Sequence, residues 1–388
     1  MDIASRFAST AGLALILCFH ATWLAAQQVI WPELAPGHVV ARFGESVATN
    51  GLDLAIGAPA GDGFVEVYRR TSDGWVSVQR LVPVDTQAYG YRLAISEEWL
   101  AIASRDLASS GWPSFIDLYS RPGGHWTFSQ RLESPLPGSQ GYIARMQLSD
   151  SALTIASDSE SGRTRTFNFD RVEATWGGVG EIHLPYSSQY TGRAIASNEN
   201  LLVTSDVYTQ ALGGWGAVST FARVQGTWVH ASAMSSSVMP PFYYGTGVLL
   251  CGGRLIVSVS SYSLNPQSGR VLIYERDFLD WSPMAEIVPS ADADYRFGQI
   301  MHCNDSTLLV GGDPANRVIA YSLNDMHDPA VLVVNDPTSP MTLRKMAVIG
   351  GDVVVTDPSA TDVPFGPALG AVYIFLNALD PIFKNGFD

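Results

Sequence analysis

Short apolar runs separated by polar turns fill the chain, and their pattern is that of strands. In "FVEVYRR" Val65 and Val67 share one face while Phe64, Glu66 and Tyr68 share the other, because successive side chains of a strand point to opposite sides. Both faces carry large apolar groups, as a sheet sandwiched between two others requires. Runs such as "LDLAIGAP", "EWLAIAS", "NLLVTSD" and "DVVVTDP" are almost continuously apolar, which suits strands buried on both faces. Beyond the first residues, no window sustains the 3.6-residue period of an amphipathic helix. The chain reads as all-β.

The runs recur as a unit. Counted from the residue that opens each one, the starts are Phe43, Tyr89, Tyr142, Tyr190, Tyr244, Phe297 and Thr342, at intervals of 46, 53, 48, 54, 53 and 45 residues. Each unit has a segment after its opening residue ("FGESVAT", "YGYRLAI", "FGQIMHC"), a compact apolar run, and a run usually ending in an aromatic ("GFVEVYRR", "GRVLIYER"). A fourth segment often starts with tryptophan ("WVSVQRLVP", "WTFSQRLES"). Four strands per unit and seven units predict a seven-bladed β-propeller of four-stranded antiparallel blades. The seventh unit stops after its third strand, at "GAVYIFLN". An open sheet edge would be left there, so residues 29–36, with Trp31, Leu34 and Pro36 echoing "WVSVQRLVP", are expected to close the ring from the N-terminal side.

"FGESVATNGLDLAIGAP" followed by "GFVEVY" and "W…QRL" resembles the FG-GAP repeat of integrin α-chain propellers, most of all the calcium-free form of bacterial secreted proteins. The resemblance spans residues 29–377. It implies a propeller that binds ligands or mediates adhesion. The kelch repeat, with its Gly-Gly, Tyr and Trp spacing, is the nearest competitor. Aromatic-glycine starts and the Gly-Ala-Pro after the second segment favour FG-GAP. Metal-binding members hold calcium in an acidic loop between the first two strands. The corresponding turns here, such as "TNGLD", "SEEW" and "GGR", are too short and too poor in carboxylates to supply six or more oxygens, so no metal site and no cofactor are expected.

The net charge of −14 argues against nucleic acid, whose phosphates would be repelled. Near the N-terminus the apolar stretch 11–19 follows Arg6 and precedes "HATWLAA". It is too short to span a bilayer and reads as an export signal covering residues 1–26, with lipid attachment at Cys18 as the alternative. The expected mature chain is a secreted or envelope protein of a bacterium, a monomer without a membrane-spanning segment. It carries the propeller over residues 27–378 and a tail over 379–388, whose "IFKNGFD" is a processing tag, an added strand or plain disorder. Two cysteines then remain, Cys251 and Cys303, at similar depth in adjacent units. They form either a disulfide or two buried thiols.

No nucleophile elbow, metalloprotease helix or phosphate loop is present. The candidate positions are therefore binding ones. Trp112 and Trp215 sit in Gly/Ser-rich loops between second and third strands, and Tyr243 and Tyr244 lie in "PPFYYG" between units. Exposed loop aromatics are good contact residues. Asp158, Asp206 and Asp313 fall in one column after the second strand, with Asp106 and Asp357 displaced by one. They either gather a cation or basic partner at one face, or each caps its own turn. The tryptophans opening the outer strands are expected to pack between blades. A non-enzymatic propeller presenting inter-strand loops to a protein or glycan is the leading reading. A hydrolase or lyase with a site at the central channel is the alternative.

Overall fold

The computed structural model describes residues 21–22, 26–33, 41–61, 63–83, 88–105, 114–136, 141–159, 164–186, 191–236, 242–261, 269–278, 280–288, 297–311, 317–324, 326, 329–334, 344–361 and 369–379. Their strands form seven antiparallel sheets. Blade one consists of Ser46–Thr49, Asp53–Ala58, Phe64–Thr71 and Gly74–Leu81, paired in that order from axis to rim. Blades two to six repeat the order. Blade seven takes Lys345–Ile349, Asp352–Asp357 and Ala371–Leu376 from the C-terminal side and its outer strand, Ala26–Ile30, from the N-terminal side. Inner strands contact one another in sequence, and the seventh meets the first, so the ring is closed. A two-residue strand, Ala21–Thr22, adds a parallel pairing to the outer edge of blade six.

The closing strand comes earlier than the Trp31 echo suggests. Its register pairs Gln28 with Ile374, as Gln79 pairs with Val67 in blade one. Gln28 Nε2 donates to the Trp75 carbonyl and its Oε1 accepts from the Trp75 amide, both at 3.3 Å. Gln79 clasps Trp126 in the same way at 2.7 and 2.9 Å, and Gln130 clasps Trp176 at 2.8 and 2.9 Å. The repeated feature is therefore a glutamine reaching the next blade. Trp31 packs instead against the core shared by blades six and seven.

Seven apolar clusters fill the seven seams between blades, one each among the described residues. The opening aromatics Phe43, Tyr89, Tyr244 and Phe297 are wholly buried in them. The glycine after each serves the backbone: Gly44, Gly90, Gly245 and Gly298 have φ of +90°, +84°, +86° and +79°, a region open mainly to glycine. A second glycine, just before the third strand, lets the next blade approach. A Cβ on Gly63, Gly216 or Gly370 would come within 2.5 Å of the backbone of Tyr89, Tyr244 or Phe43 respectively. Blade four departs from the unit count, because its register puts Thr191 and Gly192 where Tyr89 and Gly90 stand.

The outer-strand tryptophans do lie between blades. Trp75, Trp126, Trp176 and Trp281 are buried. Trp75 Nε1 donates to Asp352 at 3.0 Å and Trp126 Nε1 to Asp53 at 3.2 Å. Asp53, fully buried, also accepts from Arg69 at 2.8 Å and pairs with Arg121 at 3.2 Å. In blade two Trp99 occupies the position of Asp53, and it meets Trp176 edge to face at 5.3 Å instead.

Candidate binding face at blades four and five

Each inner strand starts, and each second strand ends, on the same face of the disc. The loop 207–216 of blade four lies on that face, between Leu201–Asp206 and Ala217–Val224. It is braced from within. Tyr208 N donates to Asp206 Oδ1 at 3.0 Å, Ala211 N to Thr209 Oγ1 at 3.2 Å and Gly216 N to the Thr209 carbonyl at 2.9 Å. From outside, Ser235 Oγ donates to the Leu212 carbonyl at 3.1 Å, and Tyr244 N donates to the Trp215 carbonyl at 3.0 Å. Gly214 has no room for a side chain, since a Cβ would lie 2.0 Å from the Ser236 carbonyl. A loop tied at so many points presents its side chains with little ordering cost on binding.

Those side chains are aromatic. Tyr243, on the inner strand Phe242–Cys251 of blade five, stands edge to face with Tyr208 at 5.7 Å and with Trp215 at 6.3 Å. Trp215 and Tyr243 are half-buried, whereas Tyr208 is 43% and the neighbouring Leu212 41% exposed. The structure thus brings Trp215 and Tyr243 together across a blade seam and adds Tyr208, which sequence reasoning passed over. Its signal was its place in the same loop as Trp215.

Tyr244 belongs elsewhere. It is fully buried, its hydroxyl 3.1 Å from that of Tyr274 and 2.9 Å from Met234 Sδ. Burial pushes its phenol well above the ordinary range, with Tyr274 adding to the effect. It is a core residue, separated from Tyr243 by the alternation of a strand. Among the column aspartates, Asp206 accepts from Tyr208 N, and Asp158 accepts from Thr164 Oγ1 at 2.5 Å. Asp357 accepts from Ser359 N at 2.9 Å. Asp206 and Asp357 thus accept from amides of the turns that follow them, and Asp158 from a side chain on the paired strand. Trp112, Asp106 and Asp313 lie outside the described residues. Among the described residues no three His, Cys, Asp or Glu side chains gather as metal ligands would, and no helix is long and apolar enough to cross a membrane.

Cys251 ends the inner strand of blade five and Cys303 that of blade six. Their Cα atoms are 6.1 Å apart and their sulfurs are joined as a disulfide, a spacing within the usual range for a bridge.

No protein-family model matches the chain, and no curated protein matches it. Solved structures do. The β-propeller domain of Cps50 (Swd1) from Myceliophteria thermophila superposes with a TM-score of 0.57 at 12% identity, over 90% of this chain and 99% of that one. A chain of the mitotic checkpoint complex superposes with a TM-score of 0.54 at 11% identity, over 94% and 98%. At such identities the likeness speaks for the seven-bladed fold alone.

Proposed function

We propose that this propeller is a non-enzymatic binding protein of the FG-GAP-like kind, exported by a bacterium, that presents the blade four–five loop face to a protein or glycan. The observation that carries the reading is the braced cluster of Tyr208, Trp215 and Tyr243. Aromatic rings offer large contact area for few rotors, and a rigid loop avoids the entropy loss that weakens flexible sites. The positive-φ glycines behind the opening aromatics support the FG-GAP-like reading. Export is supported by the apolar segment behind Arg6 and by the Cys251–Cys303 pairing, since disulfides persist in oxidising compartments. Cleavage after Ala26 leaves Gln28 free to clasp Trp75.

An array of glycans and extracellular proteins probed with the wild-type chain tests the proposal. A captured ligand should lose at least tenfold in affinity with Tyr208→Ala and with Trp215→Ala, as truncated aromatic anchors do. A ligand indifferent to both substitutions would remove this face from the reading.

A further inference from the structure

The same face carries a second feature at the axis, and its charge opposes that of the whole. Arg92 and Lys345 open the inner strands of blades two and seven, and Arg145 lies within that of blade three, Gly141–Leu148. They pair with Ala103, Ala156 and Thr356, which hold the same position in their second strands. Ser46, paired with Gly57, holds that position in blade one, between the lysine and the first arginine. Arg344 precedes Lys345 directly. Four cations therefore converge at one mouth of the central channel in a chain whose net charge is −14.

Among the described residues, little answers the charges of Arg92 and Lys345. Among the described residues, the three partners of the Arg92 guanidinium are neutral: the Ala144 carbonyl at 2.8 Å, the Tyr91 carbonyl at 2.8 Å and the Tyr91 hydroxyl at 3.2 Å. Arg92 also stacks on the Tyr91 ring, 4.0 Å from its centroid. Two of its five N–H donors have no acceptor among the described residues. Lys345, partly buried, has no hydrogen-bond or ion-pair partner among the described residues. Withdrawal from water, then the charges of Arg92 and Arg145, hold its ammonium down to about 7, while Glu45 pulls the other way and Arg344 adds to the depression. Glu45 is itself engaged by Arg42 at 2.8 Å. Lys345 and the spare donors of Arg92, held close to one another, favour an anion beside them.

We propose that this channel mouth is a binding site for a compact multivalent oxyanion, held by Lys345, Arg92, Arg344 and Arg145. Compactness follows from where the charge lies. The four cations gather at the axis, and the acidic chain around them, with its net charge of −14, repels an extended polyanion. Guanidinium groups suit oxygens of phosphate or carboxylate in paired geometry, and the lysine adds a point charge.

The test is calorimetric titration and thermal melting of the full chain with pyrophosphate, tripolyphosphate and citrate, each against sodium chloride of equal ionic strength. Saturable binding and a raised Tm are expected. Lys345→Gln and Arg92→Gln should each weaken binding at least tenfold, while Arg276→Gln, on the outer part of blade five, should leave it unchanged. Without ligand, Lys345→Gln should melt no lower than wild type, because it removes an unanswered charge. Circular dichroism checks that each variant remains folded. Phosphate and carboxylate ligands are separated by the relative affinities of tripolyphosphate and citrate. The proposal fails if none of the three binds at millimolar concentration, or if binding ignores both substitutions. It fails equally if an oligoglutamate peptide binds and the small anions do not, an outcome that would assign the mouth to an acidic protein segment.

Discussion

Residues that join one blade to the next are the repeating currency of this molecule. Gln28, Gln79 and Gln130 each spend both ends of an amide on one tryptophan backbone. A leucine at such a position leaves an amide and a carbonyl of a half-buried strand without partners. Gln79→Leu should therefore cost about 2 kcal/mol in urea unfolding, and Gln79→Glu should cost a comparable amount, since a carboxylate cannot donate to the Trp126 carbonyl. Equal stability of both variants and wild type would show the clasp to be incidental. The spacing Trp75 to Gln79 and Trp126 to Gln130 stood in the sequence, yet its meaning did not, because a polar residue on a rim strand is ordinarily solvated. Buried aromatics and their glycines were legible for the opposite reason: a wholly apolar side chain beside a residue without one has few other uses. The channel cations were overlooked because "YGYR", "YIAR" and "TLRK" look alike only once strand register shows Arg92, Arg145 and Lys345 to be equivalent.

At the scale of strands, alternation and near-continuous apolar runs predicted nearly every inner, second and third strand, since those are fixed by burial on both faces. The outer strands were harder. Their exposed faces carry residues such as Val76, Phe128 and Val229, so hydrophobicity no longer separates inside from outside. The closing strand was sought at Trp31 and lies at Ala26–Ile30, where "AQQVI" gives only a weak signal. Its removal exposes the edge of Ala371–Leu376 and frees Trp75 from Gln28. A chain beginning at Pro36 should thus be on the order of 3–5 kcal/mol less stable than one beginning at Gln27, at roughly 1 kcal/mol per net hydrogen bond lost. Melting curves that coincide would mean that the N-terminal strand contributes nothing to closure. The loop 207–216 was legible as a Gly-rich connection but its rigidity was not, because the bonds that brace it come from blade four's own outer strand and from blade five.

Taken whole, the ring is uneven. Between blades three and four the buried apolar cluster shrinks to Ile182, Leu202 and Phe221. The buried Thr166 and Thr204 hydroxyls, Trp228 Nε1 and His230 Nε2 have no hydrogen-bond partner there among the described residues. Each unpaired polar atom in such a place weakens the packing. Amide hydrogen exchange should be fastest, by tenfold or more, in the strands flanking this seam, and slowest where blades five and six are joined by Cys251 and Cys303. Uniform protection around the ring would contradict that ranking. The sharing of blade seven between the two ends of the chain has a temporal consequence. Gln27 finds Phe375 only when almost the entire polypeptide has emerged, so the first residues must wait through the assembly of six sheets before their own pairing exists. During biosynthesis the flank of blade one that later meets blade seven, including Leu54, Ile56 and Tyr68, stays uncovered for that whole interval. That prolonged exposure of apolar side chains is inherent in a circle fastened by its two ends.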